Sequence, residues 1–146
     1  MGLKNLYYFL IIAVFLAIVG FLIYSRGEIK YVKLVGQNIK VELATTPEEQ
    51  ARGLSARQGL AEGEGMLFVF PHPDKYLFWM KDMKFAIDII WLDSGGYVVY
   101  VQKNAKPESY PDTFGPSKPA KYVLEVISGF SEKNSLKEGD MAELVY

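Results

Sequence analysis

The residues best placed to do chemistry lie in two neighbouring apolar segments, FWMKDM at 78–83 and IDIIWL at 87–92. Alternate side chains of an extended strand share a face, so the pattern places Trp79 and Lys81 on one face of the first segment. In the second, Asp88 shares a face with two large aliphatic side chains. A carboxylate in so apolar a run needs a partner, because an unpaired buried charge costs several kcal/mol.

Two interpretations of that carboxylate stay open. In the structural one, it forms a supporting ion pair with a nearby cation or accepts hydrogen bonds from backbone N–H groups. In the functional one, it belongs to a ligand-sized concavity with an aromatic side chain and the neighbouring cations. The candidate ligand-binding residues are Arg52, Arg57, Trp79, Lys81 and Asp88.

Known catalytic and metal-binding patterns are missing from the sequence. Segment 93–96, DSGG, is similar to the nucleophile segment of trypsin-like proteases, but that chemistry needs a histidine base. The only histidine, His72, stands in a proline-flanked loop, and DSGG between two strands is ordinary turn sequence. A lone histidine and no cysteine exclude the usual zinc sites. We expect no catalytic residue, no metal and no cofactor.

The charge pattern bears on possible partners. The chain has 16 Lys and Arg against 17 Asp and Glu, and the two signs are interspersed. Proteins that bind duplex DNA usually have a basic face. No such cluster is visible here, so we expect no nucleic-acid partner.

The start of the chain has a different composition. Residues 6–24, LYYFLIIAVFLAIVGFLIY, contain no charged side chain. As a helix they would be about 28 Å long, close to the roughly 30 Å hydrocarbon core of a bilayer. A cleaved signal peptide would have a shorter apolar stretch and a small-residue cleavage site. We expect a membrane anchor over 1–27 with one transmembrane helix at 6–24, and a soluble domain over 28–146.

The orientation of that anchor rests on a weaker pattern. Lys4 precedes the apolar stretch, and Arg26, Lys30 and Lys33 follow it, which by itself favours a cytoplasmic domain slightly. Long domains can be translocated despite such charges, and a short tail stays inside easily. We therefore expect a single-pass protein of the cell membrane with its soluble domain outside the cytoplasm.

Short strands and turns dominate the soluble part. Thr46-Pro47-Glu48-Glu49 has the form of a capping box, so a short helix should run from Pro47 to about Arg52. Alternating patterns and turn residues predict strands at 31–35, 39–43, 66–70, 76–81, 86–92, 97–102, 122–127 and 141–145. The expected fold class is α+β and mostly β. We expect a small barrel-like or strongly curled antiparallel sheet with one or two short helices, preceded by a single transmembrane helix.

Several of these segments resemble the family called domain of unknown function 192. They are EQARGLSAR at 49–57, GMLFVF at 65–70 and FWMKDMKFAIDIIWLD at 78–93. The match continues through YVLEV at 122–126 and EGD at 138–140. The resemblance implies a compact β-rich domain that is often exported or tethered to a membrane. It implies no reaction, substrate or catalytic residue.

Three functional hypotheses follow. The leading one is a non-catalytic binding or accessory module, held to the lipid bilayer through residues 6–24, that binds a small ligand or an envelope or membrane protein. The second is a hydrolase or transferase that uses Asp88 together with Lys81 or an arginine. The third is an assembly partner of another membrane protein.

Overall fold

The computed structural model describes residues 7–16 and 28–146. Residues 7–16 are helical, and residue 6 and residues 17–24 of the expected membrane span lie outside the described part of the chain. Within residues 7–16 and 28–146, no helix has both the length and the apolar character that crossing a bilayer requires. The anchor over 1–27 therefore stays a prediction.

Nine strands and three short helical segments make up the chain from residue 28 onward. The helices are α1 (Pro47–Arg52) and α2 (Phe130–Lys133), with a 3-10 turn at Pro107–Ser109. The strands are β1 (Tyr31–Leu34), β2 (Gln37–Ala44), β3 (Glu64–Asp74), β4 (Phe78–Trp79), β5 (Ile87–Leu92), β6 (Val98–Ala105), β7 (Thr113–Phe114), β8 (Ala120–Ile127) and β9 (Ala142–Val145).

Seven of the strands form one sheet in the order β6-β5-β8-β3-β2-β1-β9, and β4 pairs with β7 in a separate ribbon. The expectation of a wholly antiparallel sheet is wrong at one pair, because β2 and β3 are parallel. Parallel neighbours need a long crossover connection. The segment between them supplies it, and α1 lies within that segment.

The sheet curls into a half-barrel, as the sequence predicted in coarse form. Its two edges meet at one end, where Tyr97 and Met141 form an isolated antiparallel bridge. Beside it, the N–H of Val98 donates to the Asp140 carbonyl at 2.8 Å, and the N–H of Gly139 donates to the Val98 carbonyl at 2.8 Å. The curled sheet buries side chains on both of its faces.

Strand β5 shows how the two faces are filled, since all six of its residues are buried. Ile90 and Leu92 belong to one apolar cluster. Ile89 and Trp91 belong to a second cluster on the opposite face. Phe78 of the β4–β7 ribbon packs against Trp91, with 5.6 Å between ring centroids. The ribbon therefore covers the second face, which is the face that holds the candidate site.

Most strand boundaries differ from the expectation by a few residues, and two neighbouring strands differ most in length. The segment 71–74, predicted to separate two strands, lies inside β3, and the predicted strand over 76–81 shortens to the two residues of β4. The pairing of β3 with β8 shifts between Val69 and Asp74. Proline lacks the N–H that a regular ladder needs. Pro71 and Pro73 lie in that irregular stretch, so they are tolerated within the strand.

Candidate functional site

A cavity of about 170 Å³ lies between α1, the turn after it, and residues 76–83. Its walls are mostly apolar, with polar side chains on α1, at the mouth and at Glu125 of β8. We call it the Glu125 cavity, and we call three of its exposed lining residues, Arg52, Trp79 and Lys81, its mouth. The principal apolar lining residues are Leu54, Phe68, Phe70, Phe78 and Met83.

Glu125 lies on β8, an interior strand of the sheet between β5 and β3. It lies opposite Met66 of β3 and opposite Ile89 of β5. Both neighbours are buried and apolar, and Glu125 itself is only 5% exposed. Its Oε2 atom has no hydrogen-bond partner among the described residues. A buried polar atom without a partner is rare in folded proteins, and it directs attention to what could bind there.

The surroundings of Glu125 change its ionisation. Burial raises the pKa of the Glu125 carboxyl to about 8, and the positive charge of Arg57 lowers that pKa by a smaller amount. Burial has this effect because an apolar environment disfavours the charged form of the carboxyl. At neutral pH the group is therefore mostly protonated, and its O–H can donate a hydrogen bond.

Helix α1 forms one border of the cavity, and local sequence signals explain why it stands there. The predicted capping box is confirmed: the N–H of Glu49 donates to Thr46 Oγ1 at 3.2 Å, and the N–H of Thr46 donates to Glu49 Oε2 at 3.0 Å. Gln50 then fixes the helix to the sheet, since its Nε2 donates to the carbonyls of Ala44 at 3.2 Å and Val69 at 3.1 Å. The helix is thus tied to both β2 and β3.

The end of α1 brings backbone close to the buried carboxyl. Gly53 ends the helix with φ +50° and ψ −135°, and its N–H donates to the Glu49 carbonyl at 2.8 Å. Residues with a side chain rarely adopt this conformation. A Cβ at this position would also lie 3.3 Å from Phe68 Cζ and 3.9 Å from Glu125 Oε2. Glycine therefore permits both the turn and the close approach.

Aromatic rings build the opposite wall. Phe78 meets Phe68 edge to face, with 4.8 Å between ring centroids. Tyr76 stacks on Phe70 at 3.5 Å, and its carbonyl accepts a hydrogen bond from Trp91 Nε1 at 2.9 Å. These contacts hold the ring positions through packing as well as hydrogen bonding. The wall is thus supported from the core behind it.

The structure brings three of the five predicted residues together. Arg52, Trp79 and Lys81 line the mouth of the Glu125 cavity. The Nζ of Lys81 lies 5.7 Å from the centroid of the Trp79 ring. Arg57 is not among the lining residues and instead forms a two-pronged pair with Glu42, with both N–O distances at 2.7 Å.

Asp88 lies on the other face of the sheet and does not line the cavity. Its Oδ1 accepts hydrogen bonds from the N–H groups of Asn104 at 2.8 Å and Gly129 at 3.3 Å. Its Oδ2 accepts one from the N–H of Ser131 at 2.8 Å. These are the backbone contacts that the structural interpretation of Asp88 describes. They join β6 to the start of α2.

Glu125 was not among the residues singled out from the sequence, although a signal for it exists. It lies within YVLEVI at 122–127, between alternating apolar neighbours. This is the same pattern that drew attention to Asp88. The sequence pattern is the same for Asp88 and Glu125, and only their contacts in the structure show that their environments differ. Within residues 7–16 and 28–146, no group of three or more His, Cys, Asp or Glu could hold a metal ion.

Comparison with known proteins places this domain in a family. The model of the DUF192 family, described as an uncharacterized ACR, matches residues 30–144. The chain belongs to the DUF192 family. Every residue that lines the Glu125 cavity lies within the match, so the site is part of the DUF192 domain itself. A comparison with curated proteins gives no match.

Two solved structures are similar to this DUF192 protein. One is a protein of unknown function from Novosphingobium aromaticivorans DSM 12444, with 32% identity and a TM-score of 0.73, covering 77% of this chain and 83% of that one. Another is a proposed transcription regulator from Sinorhizobium meliloti 1021, with 31% identity and a TM-score of 0.73, covering 81% of this chain and 98% of that one.

Proposed function

We propose that this DUF192 domain is a non-catalytic binding module that takes a small organic ligand into the Glu125 cavity. The ligand buries a ring-sized apolar group against the aromatic wall, and a polar group of the ligand satisfies Glu125. The observation that carries the proposal is the Oε2 atom of Glu125, which is buried at the cavity without a hydrogen-bond partner among the described residues. Leaving such an atom unpaired costs about 1–3 kcal/mol, and a ligand that pairs it recovers that cost.

The size of the cavity supports a ligand of one ring. An engineered apolar cavity of roughly 150 Å³ is large enough to bind benzene. The Glu125 cavity, at about 170 Å³, is slightly larger. Aromatic and aliphatic walls with a few convergent polar groups are typical of small-molecule sites.

Binding is better supported than catalysis. A hydrolase or transferase that uses Asp88 has little support, because that carboxylate accepts three backbone hydrogen bonds and lies outside the cavity. The hydroxyl of Ser55, which lines the cavity, donates to the Arg52 carbonyl. No nucleophile is therefore paired with a base at the site among the described residues.

The proposal includes a place in the cell. The uncharged stretch over 6–24 supports a membrane anchor, and the resemblance to exported or tethered domains supports an orientation outside the cytoplasm. On this view the module works at the outer membrane surface, where it holds a small ligand or presents it to a neighbouring protein.

The two tryptophans of the chain make the proposal testable by fluorine NMR. Trp79 lines the mouth and is 51% exposed, whereas Trp91 is fully buried. Full-length protein labelled with 5-fluorotryptophan in lipid nanodiscs would be titrated with benzyl alcohol, benzamide, benzoate and benzylamine. We expect at least one of these probes to shift the Trp79 resonance saturably, with a smaller change at Trp91.

A matched pair of variants connects that binding to the carboxyl. Glu125→Met removes the polar group and keeps a side chain of similar length, and we expect about tenfold weaker binding of the best uncharged probe, the loss of one hydrogen bond. Glu138→Met changes an exposed glutamate away from the cavity and should have no effect. If no probe shifts Trp79 at millimolar concentration, the proposed binding function is wrong.

A further inference from the structure

We infer that the ligand of the Glu125 cavity is an organic anion whose negative group is held at the mouth by Arg52 and Lys81 while an uncharged polar group of the ligand pairs with Glu125. This inference rests on the proposed binding function and names the chemical class of the ligand.

The charges that line the cavity favour an anionic ligand. Of the described residues that line the cavity, Arg52 and Lys81 are the two cationic ones and Glu125 is the only acidic one. In the described part of the chain, neither cation forms a salt bridge, whereas Arg57 is paired with Glu42. Two unpaired cations thus face the same opening. They would be available to a ligand without first breaking an ion pair.

Glu125 does not neutralise these two cations. Burial raises the pKa of its carboxyl to about 8, so near neutral pH the group is mostly uncharged. The cavity then has two positive charges at the mouth and no full negative charge inside. A concave site with charges of one sign, enclosed by apolar walls, focuses the field and attracts ligands of the opposite sign.

The two cationic groups also favour particular shapes of anion. A guanidinium presents a planar fork of N–H donors that matches a carboxylate or a phosphate, and an ammonium adds a point charge beside it. Trp79 lies at the mouth with these cations, and Lys81 Nζ is 5.7 Å from its ring centroid. An aromatic or branched acid can therefore place its body on the wall and its anionic group at the two cations.

A cationic ligand fits these observations less well. A carboxyl and several aromatic faces are the usual elements of an ammonium site. Here, however, a cation would have to enter past Arg52 and Lys81, and it would pair with Glu125 only after that carboxyl had lost its proton. Both effects oppose binding of a cation at neutral pH.

The test uses three one-ring probes of nearly the same size that differ in charge. The 4-hydroxy derivatives of benzoate, benzamide and benzylamine, in each of which the hydroxyl can pair with Glu125, would be titrated into the full-length, 5-fluorotryptophan-labelled protein in nanodiscs of neutral lipid at pH 7 and low ionic strength, with the Trp79 resonance as the readout. We expect hydroxybenzoate to bind about tenfold more tightly than hydroxybenzamide, since one charge-assisted contact is worth that factor. Hydroxybenzylamine should bind most weakly.

Variants of the mouth separate the charge effect from simple burial of the ring. Arg52→Gln and Lys81→Gln should each weaken hydroxybenzoate binding by about threefold to tenfold and leave hydroxybenzamide binding nearly unchanged. Lys103→Gln, which changes an exposed lysine of β6 outside the cavity, is the matched control and should affect neither probe. Added salt should weaken only hydroxybenzoate binding.

The outcomes distinguish this inference from the function on which it rests. If hydroxybenzamide or hydroxybenzylamine binds as tightly as hydroxybenzoate, or if the mouth variants leave hydroxybenzoate binding unchanged, the ligand is not an anion, although the binding function stands. If none of the three probes shifts Trp79, the binding function itself is wrong, and the inference fails with it.

Discussion

Replacing Glu125 with glutamine should change how stability depends on pH, and this is the sharpest test of the buried carboxyl. Glutamine has almost the shape of a protonated glutamate but does not titrate. The pKa of Glu125 is about 8 in the folded protein, against 4.5 for the free side chain. Between these values the folded protein holds a proton that the unfolded chain has released. The group's contribution to stability is therefore full below pH 4.5 and is lost as the pH rises towards 8.

The size of the effect follows from that interval. Each pH unit within it changes the free energy of unfolding by about 1.4 kcal/mol. From pH 4.5 to pH 7 the wild-type protein should lose about 3 kcal/mol through Glu125, and from pH 4.5 to pH 9 about 4 kcal/mol. The Glu125→Gln variant avoids this loss. The stability of the variant relative to wild type should thus rise by about 3 kcal/mol between pH 4.5 and pH 7.

Urea denaturation at several pH values between 4.5 and 9, followed by tryptophan fluorescence, would measure this difference. The lowered pKa values of Glu42, Glu49, Glu62 and Asp140 also make stability depend on pH, but they are common to both proteins and cancel in the comparison. Glu138→Gln, an exposed control, should follow the wild-type curve. If the difference between Glu125→Gln and wild type stays constant within about 1 kcal/mol, the carboxyl is ionised in the folded protein and the reasoning is refuted.

Three further predictions concern the surroundings of the cavity. Gly53→Ala should lower stability by about 2 kcal/mol, because alanine is strained at this backbone conformation. Gly59→Ala is the control, since no atom lies within 4 Å of a new Cβ there, and it should lower stability far less in the same urea assay. Equal losses of stability in the two variants would contradict this explanation. Asp88→Ala should lower stability by about 3 kcal/mol by leaving three backbone donors unpaired. Benzoate binding to the Asp88 variant, measured below its unfolding range, should match wild type, and a selective loss of binding would favour a functional role. Arg57→Ala removes a positive charge that lowers the pKa of Glu125, so an NMR titration of the carboxyl should show a higher pKa in the variant. A lower pKa would contradict this effect of the Arg57 charge.

The sequence predicted best those elements whose signals are local. The helix over Pro47–Arg52 was correct at both ends, because its capping box and its terminal glycine act within a few residues of the helix. The β5–β6 hairpin was also predicted, from alternating strands around a turn rich in Asp, Ser and Gly. The residues that make these contacts lie close together in the chain, so a short stretch of sequence is enough to predict the helix and the hairpin.

The parallel pairing of β2 with β3 was not predicted, and the reason is physical. The pairing joins Lys40 to Glu64 and Ala44 to Phe68, residues separated by a whole crossover connection. The course of that connection depends on contacts such as those from Gln50 to two strands. Likewise, Pro71 and Pro73 indicate a break in the strand when the sequence is taken alone. In the structure the strand continues through them, because its irregular pairing with β8, which lies far along the chain, accommodates both prolines.

The candidate site depends on the register of two neighbouring strands, which the sequence does not display. In the pairing of β5 with β8, Asp88 lies opposite Val126, and the next pair joins Ile89 to Glu125. Successive pairs point to opposite faces of a sheet. Asp88 therefore meets the backbone donors before α2, and Glu125 meets the apolar cavity beside α1. A shift of one residue within either strand would turn its carboxylate to the other face. The two acidic residues have the same kind of sequence environment, and it is the register that makes one of them a structural acceptor and leaves the other available to a ligand.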